Sequence, residues 1–468
     1  MTINKKLKVA ALLSSALVIT ACTSVPEDGG VSGVEEAYGD RVDSSYRLPR
    51  LGEALPISSE DVSAILQNPL SLADAERISV GANPMVKVKL ANVGIAEADY
   101  AQAGRMENPG LSYERYSKDE NSASLLFDIG GLVLMPLKRQ MEARRLEVAR
   151  YKAATDVLDH IAMTRKAWIN AVAEKQQTVL IERAVEAVET SNKLTRQMTA
   201  LGHSGIVEAA QSELVVGSMQ TTLIKQRLAE GVARESLIRQ LGLWGDRARL
   251  LKLPDRLPKV PAEQLDIPAV EQQAIEGRLD VQMAKFNVEG MAKNLKLTQL
   301  NPFLSAIEVG PVQEKSGGET ERGYEIELRL PIFDAGGVQT RKARIVFEQA
   351  QAQAESTAVS AASAAREALA SYRSSWEIAQ HMENQLLPLR QRITSEQLLK
   401  YNGMLISVFD LLSDLLSATN MEAEYVNVVR TFWLADTNLQ SVLTGAGSAE
   451  MNFSGGAAMP ASGGSEGH

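Results

Sequence analysis

The feature that most constrains this chain is an internal duplication. Asn108-Pro109-Gly110-Leu111-Ser112 recurs as Asn301-Pro302-Phe303-Leu304-Ser305, an offset of 193 from position 108 to 301. Met135-Pro136-Leu137 recurs as Leu330-Pro331-Ile332, an offset of 195 from 136 to 331. Order and spacing are both kept, so the fold must consist of two like units.

Each unit changes its hydrophobic period at its second proline. Before it, Tyr324, Ile326, Leu328 and Leu330 alternate with Glu325, Glu327 and Arg329. That period of two predicts a strand with one apolar and one charged face. In a soluble sheet the apolar face would meet a core, and in a membrane barrel it would meet lipid. The period alone leaves both open. Partner strands are expected near Leu304 to Val312, Leu111 to Ser117 and Ser124 to Leu134, with turns at Ser316-Gly317-Gly318 and Asp119-Glu120-Asn121.

After the second proline the pattern is helical. Leu137 to Leu201 contains neither Gly nor Pro over 65 residues, which as one helix makes a rod of about 97 Å. Leu146, Ala149, Ala153, Val157, Ile161, Trp168, Val172 and Val179 form a stripe along it. Their mean step of about 3.7 residues suits a straight packing seam better than a tight left-handed coil. The second unit repeats the rod from Val338 to Asn402, with a kink expected at Pro388. Each rod reaches a turn and comes back. The first turn is Ala200-Leu201-Gly202-His203-Ser204-Gly205-Ile206, leading into Val207 to Leu241. The second is Tyr401-Asn402-Gly403-Met404-Leu405-Ile406-Ser407, leading into Val408 to Leu443.

The N-terminus carries an export signal. Lys5, Lys6 and Lys8 precede an apolar run from Val9 to Ile19, too short for the roughly 20 residues that span a bilayer. Ile19-Thr20-Ala21-Cys22 resembles the lipobox of bacterial lipoproteins, whose cysteine is acylated and becomes the mature N-terminus. Cys22 is the only cysteine, so no intramolecular disulfide can form, and a free or intermolecular thiol is the other reading. The organisation expected is a signal peptide over 1–21, a lipidated N-terminal extended segment over 22–70, first and second repeats over 71–250 and 268–444, a Pro-rich linker over 251–267, and a disordered tail over 445–468.

Composition enters mainly by exclusion. A net charge of -9 argues against a nucleic-acid partner, which would need a basic stripe. His160, His203, His381 and His468 are dispersed and fall in no metalloprotease or nucleophile motif, and no phosphate-binding Gly-Lys loop is present. No enzyme, cofactor or metal site is expected, and Met451, Met459 and His468 in the Gly-Ser tail read as solvated residues before they read as soft-metal ligands.

Taken together, Asn301-Pro302, the stretch Leu330-Pro331-Ile332-Phe333-Asp334-Ala335-Gly336-Gly337 opening a long helix, and Tyr401 to Asp414 resemble the TolC outer-membrane efflux family over nearly the whole mature chain. The resemblance implies a mainly α fold with a β-barrel portion. Three copies would build a twelve-stranded barrel in the outer membrane and an α-helical tunnel across the periplasm. The partners it implies are a homotrimer, a periplasmic adaptor protein, an inner-membrane transporter and outer-membrane lipid. The function it implies is a passive exit duct of a tripartite efflux system. The Tyr401 to Asp414 segment resembles the heavy-metal branch, with copper or silver as cargo, more than the multidrug branch. Barrel closure asks for an oligomer independently, because four strands leave open edges in lipid.

In the same resemblance the two turns are periplasmic tips. Gly202, His203, Ser204 and Gly205 stand opposite Met404, Leu405, Ile406 and Ser407 as adaptor-docking residues. Glu208 aligns with Asp410, and Asp414 follows one helical turn later, so threefold symmetry would turn these acids into entrance or gate rings. The plainer reading of acids early in a helix is stabilisation of its N-terminal dipole end. A structural coiled-coil lipoprotein spacing the outer membrane from the cell wall is the alternative function, and it does not explain the strand pairs.

Overall fold

The computed structural model describes residues 25–42, 46–304, 307–328, 332–333 and 335–445. The signal segment, Cys22 and the tail beyond Gly445 lie outside these residues, as do Leu330, Pro331 and Asp334. Two short helices, α1 (Val31–Tyr38) and α2 (Ser59–Ile65), precede a pair of units built in the same order. The first runs α3 (Leu72–Gly81), α4 (Pro84–Ala103), β1 (Gly110–Arg115), β2 (Asn121–Asp128), α5 (Ile129–Ala200) and α6 (Ile206–Leu241). After the small helix α7 (Asp246–Leu250), the second runs α8 (Val270–Gly277), α9 (Leu279–Leu304), β3 (Ile307–Ser316), β4 (Glu319–Leu328), α10 (Gly337–His381), α11 (Leu387–Asn402) and α12 (Val408–Thr444). No described helix is long and apolar enough to cross a membrane.

Local chemistry sets the helix starts. Ser58 and Asp61 form a capping box on α2, Ser71 accepts from the Asp74 N–H at 3.1 Å on α3, and Asn83 accepts from the Met85 N–H at 3.0 Å just ahead of Pro84 on α4. The same device corrects one expectation. The apolar run to Leu134 reads as strand, yet β2 ends at Asp128, because that side chain accepts from the Gly131 N–H at 2.7 Å and opens α5 there. Pro136 therefore lies two turns inside a 72-residue helix of about 108 Å, where it removes the ladder donor for the Leu132 carbonyl. Proline acts differently in the second rod. Ahead of Pro388 the ladder widens to a π turn over Met382–Leu386, with the Leu387 N–H bonded to the Met382 carbonyl.

The stripe on α5 is buried from Leu146 to Val172, apart from a half-buried Ala149, but Val179 is 38% exposed. A straight helix of 3.6 residues per turn drifts away from a 3.7-residue stripe. Beyond Val172 the buried face passes to Thr178, Ala184, Val185 and Val188.

Two further expectations change. The segment 22–70 is not simply extended, since α1 and α2 lie in it, and Val31, Val34, Tyr38 and Leu48 are buried with Val86, Leu90, Val93 and Ile161 in one core cluster. The stretch 251–267 is no loose linker either. Leu251, Leu253, Leu257 and Val260 are buried in the other core cluster, beside Trp168, Leu237, Tyr372 and Phe432. Prolines bar this stretch from helix or ladder, so its carbonyls need other donors. The Trp433 indole N–H donates to the Pro258 carbonyl at 2.9 Å and that of Trp376 to the Pro261 carbonyl at 2.9 Å. Lys175 reaches the Leu253 carbonyl at 2.7 Å and Leu265 N–H the Tyr372 hydroxyl at 3.2 Å. The stretch is a strap that belts both units together.

The strands make one antiparallel sheet in the order β1-β2-β3-β4, so β2 and β3 join the two units. Their backbones come close at Gly310, where a Cβ would lie 1.7 Å from the Leu125 carbonyl oxygen. Only glycine fits there.

The strap and aromatic cluster make a separable prediction. Phe432, 1% exposed, packs on Tyr372 with ring centroids 5.5 Å apart. Phe432→Ala is expected to cost about 3–5 kcal/mol, whereas Trp433→Phe, which mainly removes the bond to the strap, should cost about 1 kcal/mol. Denaturant unfolding followed by circular dichroism checks both, and equal losses would mean that the strap contact, not the core volume, dominates.

Candidate functional site: the sheet wall and the two helical tips

Pairing register assigns every strand residue to one of two faces. Leu111, Leu125, Pro311 and Tyr324 form one cross-strand row, Phe127, Val309 and Ile326 the next, and Ile307 and Leu328 another on the same face. These groups are bare: Tyr324 is 86% exposed, Leu111 77% and Ile326 69%. A contiguous apolar face of this kind marks an interface or a membrane surface. Among the described strand residues, the opposite face holds every carboxylate, Glu114, Asp128, Glu308, Glu314, Glu319, Glu321, Glu325 and Glu327, and no cation. Glu308 stands directly opposite Glu327, and Glu314 opposite Glu321; like charges directly opposite one another weaken a sheet unless other groups compensate them. The alternation around Tyr324 already exposed Glu325 and Glu327 in the sequence; the other six acids needed the register.

At the tips the two units share one backbone. In the first, the His203 N–H bonds to the Met198 carbonyl at 2.8 Å and the Gly202 N–H to that of Thr199 at 3.0 Å. In the second, the Leu405 N–H bonds to Lys400 at 2.9 Å and the Met404 N–H to Tyr401 at 2.9 Å. Both are Schellman stops with the C′ residue in the left-handed region. Gly202 adopts it at φ 77°, and Met404 is forced into it at φ 57°, where a side chain costs roughly 1–2 kcal/mol. Around these stops Leu201, Ile206 and Val207 on one tip and Met404 and Leu405 on the other are 67–93% exposed. His203 and Gly205 are exposed as well, while Ser204 and Ile406 are half-buried.

The acids at the tips have distinct partners. Ser407 caps α12: the Asp410 N–H donates to its hydroxyl at 3.2 Å, and the Ser407 N–H donates back to the Asp410 carboxylate at 2.9 Å. Those bonds from the Ser407 hydroxyl and N–H hold the exposed Asp410 carboxyl below the usual carboxylate range. Glu208 occupies the same position on α6, but its cap residue is Gly205, which has no side chain to offer. Asp414 is buried, paired through Oδ1 with Arg390 of α11, whose Nη2 also reaches the Asp414 carbonyl at 2.6 Å. Asp410 and Asp414 therefore do not act alike: one faces water and the other ties α11 to α12. Arg390 was missed in the sequence because its partner lies 24 residues away across a turn. Beside this pair, a cleft of about 1120 Å³ separates α5 and the strap from α11 and α12, lined in part by Arg183, Asp255, Thr394 and Glu422.

No family model matches the sequence, and no curated protein matches it. Solved structures do match. The CmeC outer membrane channel of Campylobacter jejuni aligns at TM-score 0.69 and 13% identity, covering 92% of this chain and 93% of that one. The outer membrane protein VceC of Vibrio cholerae aligns at 0.64 and 17%, over 80% and 96%. The open state of the MtrE outer membrane channel of Neisseria gonorrhoeae aligns at 0.64 and 15%, over 86% and 98%. The chain has the TolC-type fold, helical with a small sheet, that these channels share.

The caps give the prediction here. Ser407→Ala should cost about 1 kcal/mol, read as roughly fivefold faster amide exchange at the start of α12. Because the folded Asp410 pKa is lowered, the part of the cap that its carboxylate supplies is present above the ordinary value of 3.8 and is lost as pH falls through the folded value. Met404→Gly should slow exchange at the same turn by about the same factor. Exchange unchanged in Ser407→Ala would show that the cap does not hold this end of α12.

Proposed function

We propose that this chain, with its TolC-type fold, is the outer-membrane channel of a tripartite efflux system. It is a passive duct from periplasm to exterior, linked through a periplasmic adaptor to an inner-membrane transporter. The observation that carries this reading is the sheet: four strands with an exposed apolar face, an opposite face whose charges among the described strand residues are all carboxylates, and edges at β1 and β4 that pair with no other described strand. In lipid an open edge leaves backbone groups unsatisfied. Three copies set edge to edge would close twelve strands, with the apolar rows against lipid and the acids against water. Acylation of Cys22 would add an anchor at the same membrane.

In this arrangement α5, α6, α11 and α12 form the periplasmic tunnel. The exposed apolar residues of the tips, Leu201, Ile206, Met404 and Leu405, offer the adaptor a docking surface, with Gly202, His203, Ser204, Gly205, Ile406 and Ser407 setting its shape. Asp410, exposed and ionised, would form a ring at the entrance, with Glu208 its counterpart on the first tip. Asp414 is a positioning residue that holds α11 on α12 through Arg390. An acid-lined duct favours cationic cargo, which covers copper or silver ions and small toxic cations. A spacer lipoprotein would share the rods, but it would have no use for a bare apolar sheet face.

Reconstituted in a planar bilayer, the purified protein should conduct and prefer cations to anions. Replacing Glu314, Glu321 and Glu325 by Gln should lower that preference without abolishing the pore, and Asp410→Ala should change the conductance or its pH dependence. A chain that stays monomeric and never conducts sinks the channel reading. A pore equally permeable to both signs would remove the lumenal role of the acids.

A further inference from the structure

The three cations among the described strand residues, Arg115, Lys315 and Arg322, sit on the apolar face, at the end of the sheet farthest from the helices. Arg115, Asn121, Lys315 and Thr320 make the outermost row, and Arg322 lies one row inward, beside Gln313. All three cations are exposed. Both guanidiniums bond through Nε to neutral oxygens, Arg115 to the Ser117 carbonyl at 3.2 Å and Arg322 to Gln313 Oε1 at 3.2 Å. Directly inward is a hollow of about 420 Å³ whose walls include Leu111, Leu125, Pro311 and Tyr324, with Arg322 and Gln313 at its outer end. The arrangement is an apolar slot capped by positive charge.

We propose that this rim binds the phosphate-bearing headgroup of an acylated lipid of the outer leaflet, with an acyl chain in the slot. The inference rests on the reading of the apolar face as the lipid-facing wall of a barrel. Sorting by side-chain direction is what makes the charge useful: Glu114, Glu314 and Glu321 lie at the same level but point to the opposite face, where water in the duct screens them. The cations point into the headgroup region, where low dielectric strengthens their pull on phosphate. A solubility role would scatter Lys and Arg over both faces. An uncharged lipid would need no cations above its chain, and a free anion would need no slot. Strand spacing of about 4.8 Å puts Arg115 and Lys315, two strands apart, about 10 Å from each other, a span suited to a headgroup with more than one phosphate.

The test uses the full-length protein in detergent and native mass spectrometry, with three probes: a bis-phosphorylated lipid A, the same lipid dephosphorylated, and a phosphatidylcholine. Wild-type protein should retain the phosphorylated lipid at least tenfold better than the other two. The triple change R115Q, K315Q and R322Q should remove that advantage, at about fivefold per cation, while R249Q on α7 leaves it intact. Bilayer conductance of each variant is recorded alongside. Equal retention of the phosphorylated and dephosphorylated lipids, or unchanged retention in the triple variant, overturns the headgroup site even if the pore conducts normally. Loss of conductance in the wild type would instead point to failure of the channel reading beneath it.

Discussion

The open edges of the sheet are the constraint on which the rest depends. A four-stranded antiparallel sheet cannot close, and in a membrane the N–H and C=O groups along β1 and β4 have no water to turn to. Neighbouring copies are the natural partners for both edges at once, because β1 and β4 lie at opposite sides of one sheet. In the proposed arrangement the strand edges would meet neighbouring copies, while the bare apolar face would meet lipid.

Within one copy, the two units have to be held at a fixed offset for β2 and β3 to pair. Two features do this. The Gly310 approach lets the strands of different units come into register. Far from the sheet, the proline strap lies across both sets of helices and is held by two indole donors and by the Tyr372 hydroxyl, which accepts from the Leu265 N–H. A strap of prolines is suited to the task because it has few backbone donors to satisfy and a stiff path. Leu251, Leu253 and Leu257 add buried apolar area, each worth roughly 1.5–3 kcal/mol when fully enclosed.

Charge follows the pleat. A β-strand sends successive side chains to opposite faces, so a residue's position along its strand decides which face carries its charge. Among the described strand residues, carboxylates keep to one face and cations to the other. The helical tips follow a different logic: capping decides the place of Asp410, while burial and an arginine partner decide that of Asp414. Three acids that look equivalent along the chain are thus an exposed cap, an exposed acid without a capping serine, and a buried ion pair.

Much of this was legible in the residues. The duplication, the change of period at each hairpin, the rods and their glycine-containing turns follow from local periodicity and from the steric demands of Gly and Pro, which act over a few residues. Helices α4 and α9 were missed, since neither has a strong amphipathic stripe to announce it, and the end of β2 was misplaced because a single capping bond at Asp128 outweighed an apolar run. The sequence by itself determined which segments are strand and which are rod, since those preferences are settled by each residue and its near neighbours. Only the tertiary structure decided the register that sorts the charges, the partner of Asp414 and the role of the prolines, because each depends on contacts between residues distant in the chain that no local pattern encodes.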